Sequence, residues 1–146
     1  MTERAGLRIL FHGAIVLFVG LLCGFPFAAA VIGTWGDEAV RAWRLAHVGL
    51  AGVGIWLIAT GAALPRLALG DRTASVLAWS VVMSAYAFVL ALLIAPVAGV
   101  RGLQRSGPAL NWVVFASNTV GVVGALVGGA LMIIGAHRAL RAGGLK

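Results

Sequence analysis

The chain of 146 residues is 62% hydrophobic and only 10% charged, with a mean hydropathy of +1.05. A soluble domain of this length needs far more polar surface to cover its core, so lipid is the natural solvent. The formal net charge of +7 is spread over basic residues at the ends of apolar runs, which suits lipid headgroups rather than nucleic acid. A single cysteine, Cys23, excludes a disulfide within the chain.

The opening segment, MTERAGLRILFHGAIVLF, begins with basic residues, but its apolar run is too long for a signal peptide. It reads as a retained first span. About 20 apolar residues in a helix cross the ~30 Å hydrocarbon layer. Four stretches qualify: Leu7 to Gly33, Leu45 to Leu69, Ala74 to Val100 and Ala109 to Ala136. The expected fold is an all-α integral membrane protein, a four-transmembrane-helix bundle forming one domain over residues 1–146. Short polar connections, TWGDEAVRAWR, GDRT and RGLQRSGP, separate the spans. Glu3, Asp37, Glu38 and Asp71 all fall outside them, which argues against a proton relay or a cation-coupled transporter.

Arg4, Arg8, Arg66, Arg72, Arg138, Arg141 and Lys146 collect on one side, against Arg41, Arg44, Arg101 and Arg105 on the other. This bias places both termini in the cytoplasm, and the membrane is expected to be a bacterial inner membrane. Trp35, Trp43 and Trp112 would form a belt at the opposite interface. Gly20 with Gly24, and Gly124 with Gly128, make small-xxx-small surfaces for close helix packing. Pro26, Pro65 and Pro96 each lie toward the far end of a span, where a lost backbone bond is easiest to tolerate.

Three histidines remain to be placed. His137 lies in the basic tail and reads as interfacial, whereas His12 and His47 open the first and second spans. Because those helices run antiparallel, the two imidazoles should lie on the order of 20 Å apart in depth. That separation disfavours two histidines ligating one iron within a chain. Ala51 and Gly54 share a helix face with His47, and Gly49 and Gly52 are close by. Residues this small would leave a flat space beside the ring, wide enough for a planar macrocycle bound through iron. The plainer reading is a histidine hydrogen-bonded to a neighbouring helix. Paired cysteines, H-E-x-x-H, a phosphate loop and a nucleophile–base set are all missing from the sequence. Zinc would need several ligands in reach, and none cluster.

Several short motifs occur in order. They are His12-Gly13, Trp43-Arg-Leu-Ala-His47-Val-Gly49, Leu64-Pro65-Arg66-Leu67, Asp71-Arg72-Thr73-Ala74, Arg101-Gly102-Leu103, Gly107-Pro108 and the run from Gly129 to Gly135. In this set the chain resembles the membrane-bound styrene oxide isomerases over nearly its whole length. The resemblance implies a trimer carrying haem b near subunit interfaces, with His47 as the axial ligand beside Ala51 and Gly54. It also implies ferric iron acting as a Lewis acid on an apolar epoxide, with a 1,2-hydride shift giving an aldehyde. The sequence departs from the family pattern at three positions. Val53, Ser84 and Leu92 stand where the family carries an asparagine, an aspartate and a tyrosine.

Tyr86, Ser80, Ser84, Asn111 and Asn118 are the polar residues that would supply replacement hydrogen bonds for catalysis. Tyr86, the single tyrosine, lies mid-membrane, where its hydroxyl needs a partner, in a pocket or in the scaffold. Asn111 and Asn118, seven apart, share a helix face and either line a cavity or join helices. Three functions compete. The first is a haem-dependent epoxide isomerase working as a homo-oligomer in the lipid bilayer. The second is a non-isomerase haem protein for gas sensing, haem handling or electron transfer. The third is a cofactor-free structural protein.

Overall fold

The computed structural model describes residues 2–33 and 35–143; Thr34 and Lys146, counted above, lie outside that range. It is all-helical: α1 (Thr2–Leu22), α2 (Gly24–Ile32), α3 (Asp37–Ala63), a 3-10 turn (Leu64–Arg66), α4 (Asp71–Ala98) and α5 (Ala109–Gly143). Among the described residues, four segments are long and apolar enough to cross a membrane: Thr2–Ile32, Asp37–Arg66, Asp71–Ala98 and Ala109–Gly143. These coincide with the four expected spans but run past several of the expected ends. Helix α3 starts at Asp37 rather than near Leu45, because its polar first turns continue the helix beyond the apolar stretch. Helix α5 likewise carries on through the basic tail to Gly143.

The acidic residues explain where the helices start. Glu3, Asp37, Glu38 and Asp71 each occupy the first turn of a helix, where a negative charge meets the positive end of the helix dipole. Prolines and glycines mark the interruptions. Pro26 has no N–H for the Leu22 carbonyl, and the first span breaks there into α1 and α2 at Cys23. Pro65 sits in the 3-10 turn that ends the second span. Helix α4 tolerates Pro96 in its last turn and ends on Gly99 in the left-handed conformation, φ +63°.

In a bilayer, helices gain little by hiding apolar surface from one another, so close van der Waals contact has to hold them together. Helix α1 supplies that contact with three glycines seven residues apart, Gly6, Gly13 and Gly20, all buried. A Cβ at Gly6 would lie 2.6 Å from the Gly61 carbonyl oxygen. One at Gly13 would lie 2.8 Å from the Ile58 nitrogen, and one at Gly20 would lie 2.4 Å from the Ala51 nitrogen. The stripe therefore runs antiparallel down α3. On the other side, α4 and α5 close on Gly124 and Gly128, whose added Cβ atoms would meet the Ser80 carbonyl and the Val81 side chain.

The two pairs, α1 on α3 and α4 on α5, meet mainly through α4. Ile9, Val16, Leu50, Leu57, Leu77 and Val81 are fully buried between them. The outward face of the first span carries Phe11, Phe18, Phe25 and Ile32, again at intervals of seven, with Phe25 75% exposed and Ile32 82% exposed. Such a stripe suits lipid, not water.

The crossing makes a testable contrast. Gly20→Ala should lower the melting temperature of the detergent-solubilised protein, at a cost of about 1–3 kcal/mol, because its Cβ meets backbone that cannot move aside. Gly52→Ala, with nothing within 4 Å, should leave it unchanged or gain up to about 1 kcal/mol from helix propensity. Equal melting temperatures for the two variants would contradict the packing described.

Candidate functional site

His47 takes the next place on the stripe that Gly54 and Gly61 occupy on α3, seven residues apart. It lies across from Gly20 and Gly24. The Nδ1 atom is 2.8 Å from the Gly20 carbonyl oxygen and donates to it, since a carbonyl only accepts. Nδ1 therefore carries the proton, and Nε2 keeps its lone pair in the neutral ring. Gly24 gives the ring room: a Cβ there would lie 3.3 Å from Cε1. Phe27, one turn beyond the break at Cys23, stacks on the imidazole at 6.2 Å with an interplanar angle of 19°. The ring is half-buried, and Nε2 has no hydrogen-bond partner among the described residues.

An imidazole held through Nδ1–H by a backbone carbonyl is the usual second-sphere arrangement for a metal-ligating histidine. With Nδ1 engaged, the free Nε2 lone pair of His47 would be able to hold the iron of a macrocycle. No group of three or more His, Cys, Asp or Glu residues is gathered for a bare metal ion among the described residues. The expected open space lies elsewhere, however. Gly54 is packed on Leu17, with an added Cβ only 2.4 Å from its nitrogen, and Ala51 abuts Gly20. Helix α1 fills the face where Ala51 and Gly54 were expected to border a cofactor. The open glycine is Gly52, and Gly49 meets just the end of Leu92.

The remaining candidates separate. Ser84 is fully buried and donates to the Gly121 carbonyl at 2.6 Å, joining α4 to α5. Asn111 pins the α4–α5 loop: its Oδ1 accepts from Gly102 N–H at 2.8 Å, and its Nδ2 donates to the Gln104 and Ser106 carbonyls. Both side chains are thus committed to the scaffold. Arg101 also ties this loop to the start of α3 through an ion pair with Glu38.

Asn118 is different. It makes no side-chain hydrogen bond among the described residues and lines a cleft of about 730 Å³ between α3, α4 and α5. Leu45, Leu92, Ala95, Val114 and Trp35 give the cleft apolar walls, and Arg101 and Glu38 stand on its border. Leu45 is two residues from His47, so the cleft and the imidazole occupy different faces of α3.

Tyr86 has a partner that sequence reasoning did not find. Its hydroxyl is 2.9 Å from Nδ1 of His12, with the rings edge to face at 5.5 Å. A separation of 74 residues leaves no local signal for this pair. His12 neighbours Gly13, which packs on Ile58, whereas His47 faces Gly20. Eleven residues of α3 span about 16 Å, which agrees in scale with the separation anticipated for the two histidines.

Residues 6–137 match the family described as styrene oxide isomerase. No curated protein and no solved structure matches the chain.

The scaffold assignment of the two committed polar residues is open to test by hydrogen exchange. Asn111→Ala should speed amide exchange at residues 101–107 and cost about 1–3 kcal/mol, because several backbone groups lose their partner. Ser84→Ala should leave that loop unchanged and lower stability by about 1 kcal/mol. A loop indifferent to Asn111→Ala would contradict the assignment.

Proposed function

Because this chain belongs to the styrene oxide isomerase family, we propose that it is a membrane epoxide isomerase that uses haem b, with His47 as the axial ligand. The observation that carries the reading is the 2.8 Å bond from His47 Nδ1 to the Gly20 carbonyl, which leaves Nε2 as a lone-pair donor. Haem iron held by one histidine would supply Lewis acidity to the oxygen of an epoxide, the chemistry by which such a ring opens to a carbonyl compound.

The work of the protein's own residues is positional. Gly20 fixes the tautomer and tilt of His47, Gly24 makes room for the ring, and Phe27 stacks on it. The cleft walled by Leu45, Leu92 and Val114 suits a small apolar substrate, with the Asn118 amide as its free hydrogen-bonding group. Asn118 thereby stands in for the polar groups that the family pattern has at Val53, Ser84 and Leu92. Water is kept scarce by the apolar walls, which protects a reactive epoxide from hydrolysis.

Cleft and imidazole lie on different faces of α3, so a homo-oligomer is part of the proposal, three copies by the family resemblance. The membrane proposed is the bacterial inner membrane, with both termini cytoplasmic. The rearrangement needs no general base, and no titratable side chain lies within the cleft except its bordering Arg41, Arg101 and Glu38.

A second reading is favoured by one set of observations. Val53 is aliphatic, Leu92 is aliphatic and Ser84 is occupied by Gly121, so none of the three orients a substrate oxygen. A haem protein for gas binding or electron transfer would keep His47 and dispense with those groups.

Absorbance spectra of the purified protein beside His47→Ala test the first part. The wild type should show a Soret band that His47→Ala loses or shifts. Conversion of styrene oxide to the aldehyde should fall by roughly 10²-fold or more in the variant, as expected when a group acting on the transition state is removed. A wild type without a Soret band after haem supplementation would overturn the haem assignment. Haem-loaded protein that binds CO but turns over no aryl or alkyl epoxide would establish the second reading.

A further inference from the structure

At the end of the bundle away from His47, a second cavity of about 300 Å³ opens between α1 and α4. Its polar lining consists of Thr2, Arg4, Arg8, His12, Asp71 and Ser75. Ile9, Ala78, Trp79 and Val82 give it apolar walls. Arg4 and Arg8, one helical turn apart, share a face of α1. Neither makes an ion pair or a side-chain hydrogen bond among the described residues, even though Asp71 lines the same cavity. Nδ1 of His12 is engaged by the Tyr86 hydroxyl at 2.9 Å, and Nε2 has no hydrogen-bond partner among the described residues. Two guanidinium groups, an imidazole and the Ser75 hydroxyl thus converge on a space large enough for a headgroup. Trp79, Val76 and Leu7 continue outward as exposed apolar surface.

We propose that this cavity binds the phosphodiester of a glycerophospholipid whose headgroup also carries a hydrogen-bond donor. Arg4 and Arg8 hold the phosphate oxygens, the His12 imidazole reaches the same group, and the acyl chains run along Trp79 and Val76. Guanidinium groups suit phosphate through their paired, planar donors. Asp71 sets the headgroup preference. A lone carboxylate beside two arginines repels a bare phosphate but accepts from an ethanolamine ammonium or a glycerol hydroxyl. Phosphocholine, whose quaternary nitrogen has no proton, offers it no donor. The proposal is independent of the isomerase reading, because neither His47 nor the cleft takes part.

Native mass spectrometry of the full-length protein released from detergent tests it, with chain-matched phosphatidylethanolamine, phosphatidylcholine and diacylglycerol, and inorganic phosphate as a separate arm. Wild type should retain phosphatidylethanolamine about tenfold more tightly than diacylglycerol or phosphatidylcholine. Arg4→Gln with Arg8→Gln should abolish that preference, and His12→Gln should weaken it. Arg141→Gln, a cation in the last turn of α5, should leave it intact. Asp71→Asn should remove the discrimination against phosphatidylcholine. Equal retention of diacylglycerol, or an unchanged preference in the double arginine variant, would overturn the site. Inorganic phosphate bound as tightly as the lipid, with the same dependence on Arg4 and Arg8, would overturn the lipid assignment in favour of a free anion.

Discussion

The close approach of α1 and α3 is the contact on which the rest of the structure depends. Without side chains at Gly6, Gly13 and Gly20, the two backbones come near enough for a side chain on one helix to reach a carbonyl on the other. His47 does this at the end of the stripe, taking the Gly20 carbonyl as its partner. The same packing that holds two spans together in lipid therefore sets the protonation pattern of the His47 imidazole. A Cβ at Gly20 would press on Ala51, four residues along α3 from His47, and move the carbonyl that fixes the ring. Packing and chemistry share these residues.

The membrane spans were legible because a bilayer demands long apolar helices, and the sequence has four of them. Their ends were less so, since hydropathy marks the lipid boundary and not the last hydrogen-bonded turn. Asp37 starts α3 well ahead of its apolar stretch for this reason. The role of Gly20 and Gly24 was visible as a close pair, but the signal that orders the α1–α3 crossing is the longer interval of seven in Gly6, Gly13 and Gly20. The same interval recurs in His47, Gly54 and Gly61. Read together, those two series would have placed Gly54 in the helix crossing rather than beside a cofactor.

His47 stood out in the sequence as a candidate through the family-like motif around it, whereas its hydrogen-bond partner did not, because backbone carbonyls carry no sequence signature. The His12–Tyr86 pair was hidden for a related reason, joining residues 74 apart on α1 and α4. Ser84 and Asn111 show how a polar residue in an apolar chain misleads. Each looked available for chemistry, yet a buried hydroxyl or amide in lipid is drawn to the nearest unsatisfied carbonyl or N–H, and both found one. Asn118 alone among these candidates kept its amide free for the cleft.

The two histidines divide the molecule. His47 faces the α1–α2 break with its Nε2 unprotonated, while His12 leans on Tyr86 at the opposite end through Nδ1. The tautomer of His47 follows from its partner, because the Gly20 carbonyl can only accept. Nitrogen-15 NMR of the histidine-labelled, haem-free protein in detergent reads it directly. The account predicts a protonated Nδ1 and an unprotonated Nε2 for His47, with the signal assigned by its loss in His47→Ala. A His47 protonated at Nε2 would contradict the account, since the Gly20 carbonyl would then have no donor and the ligating lone pair would face the wrong way.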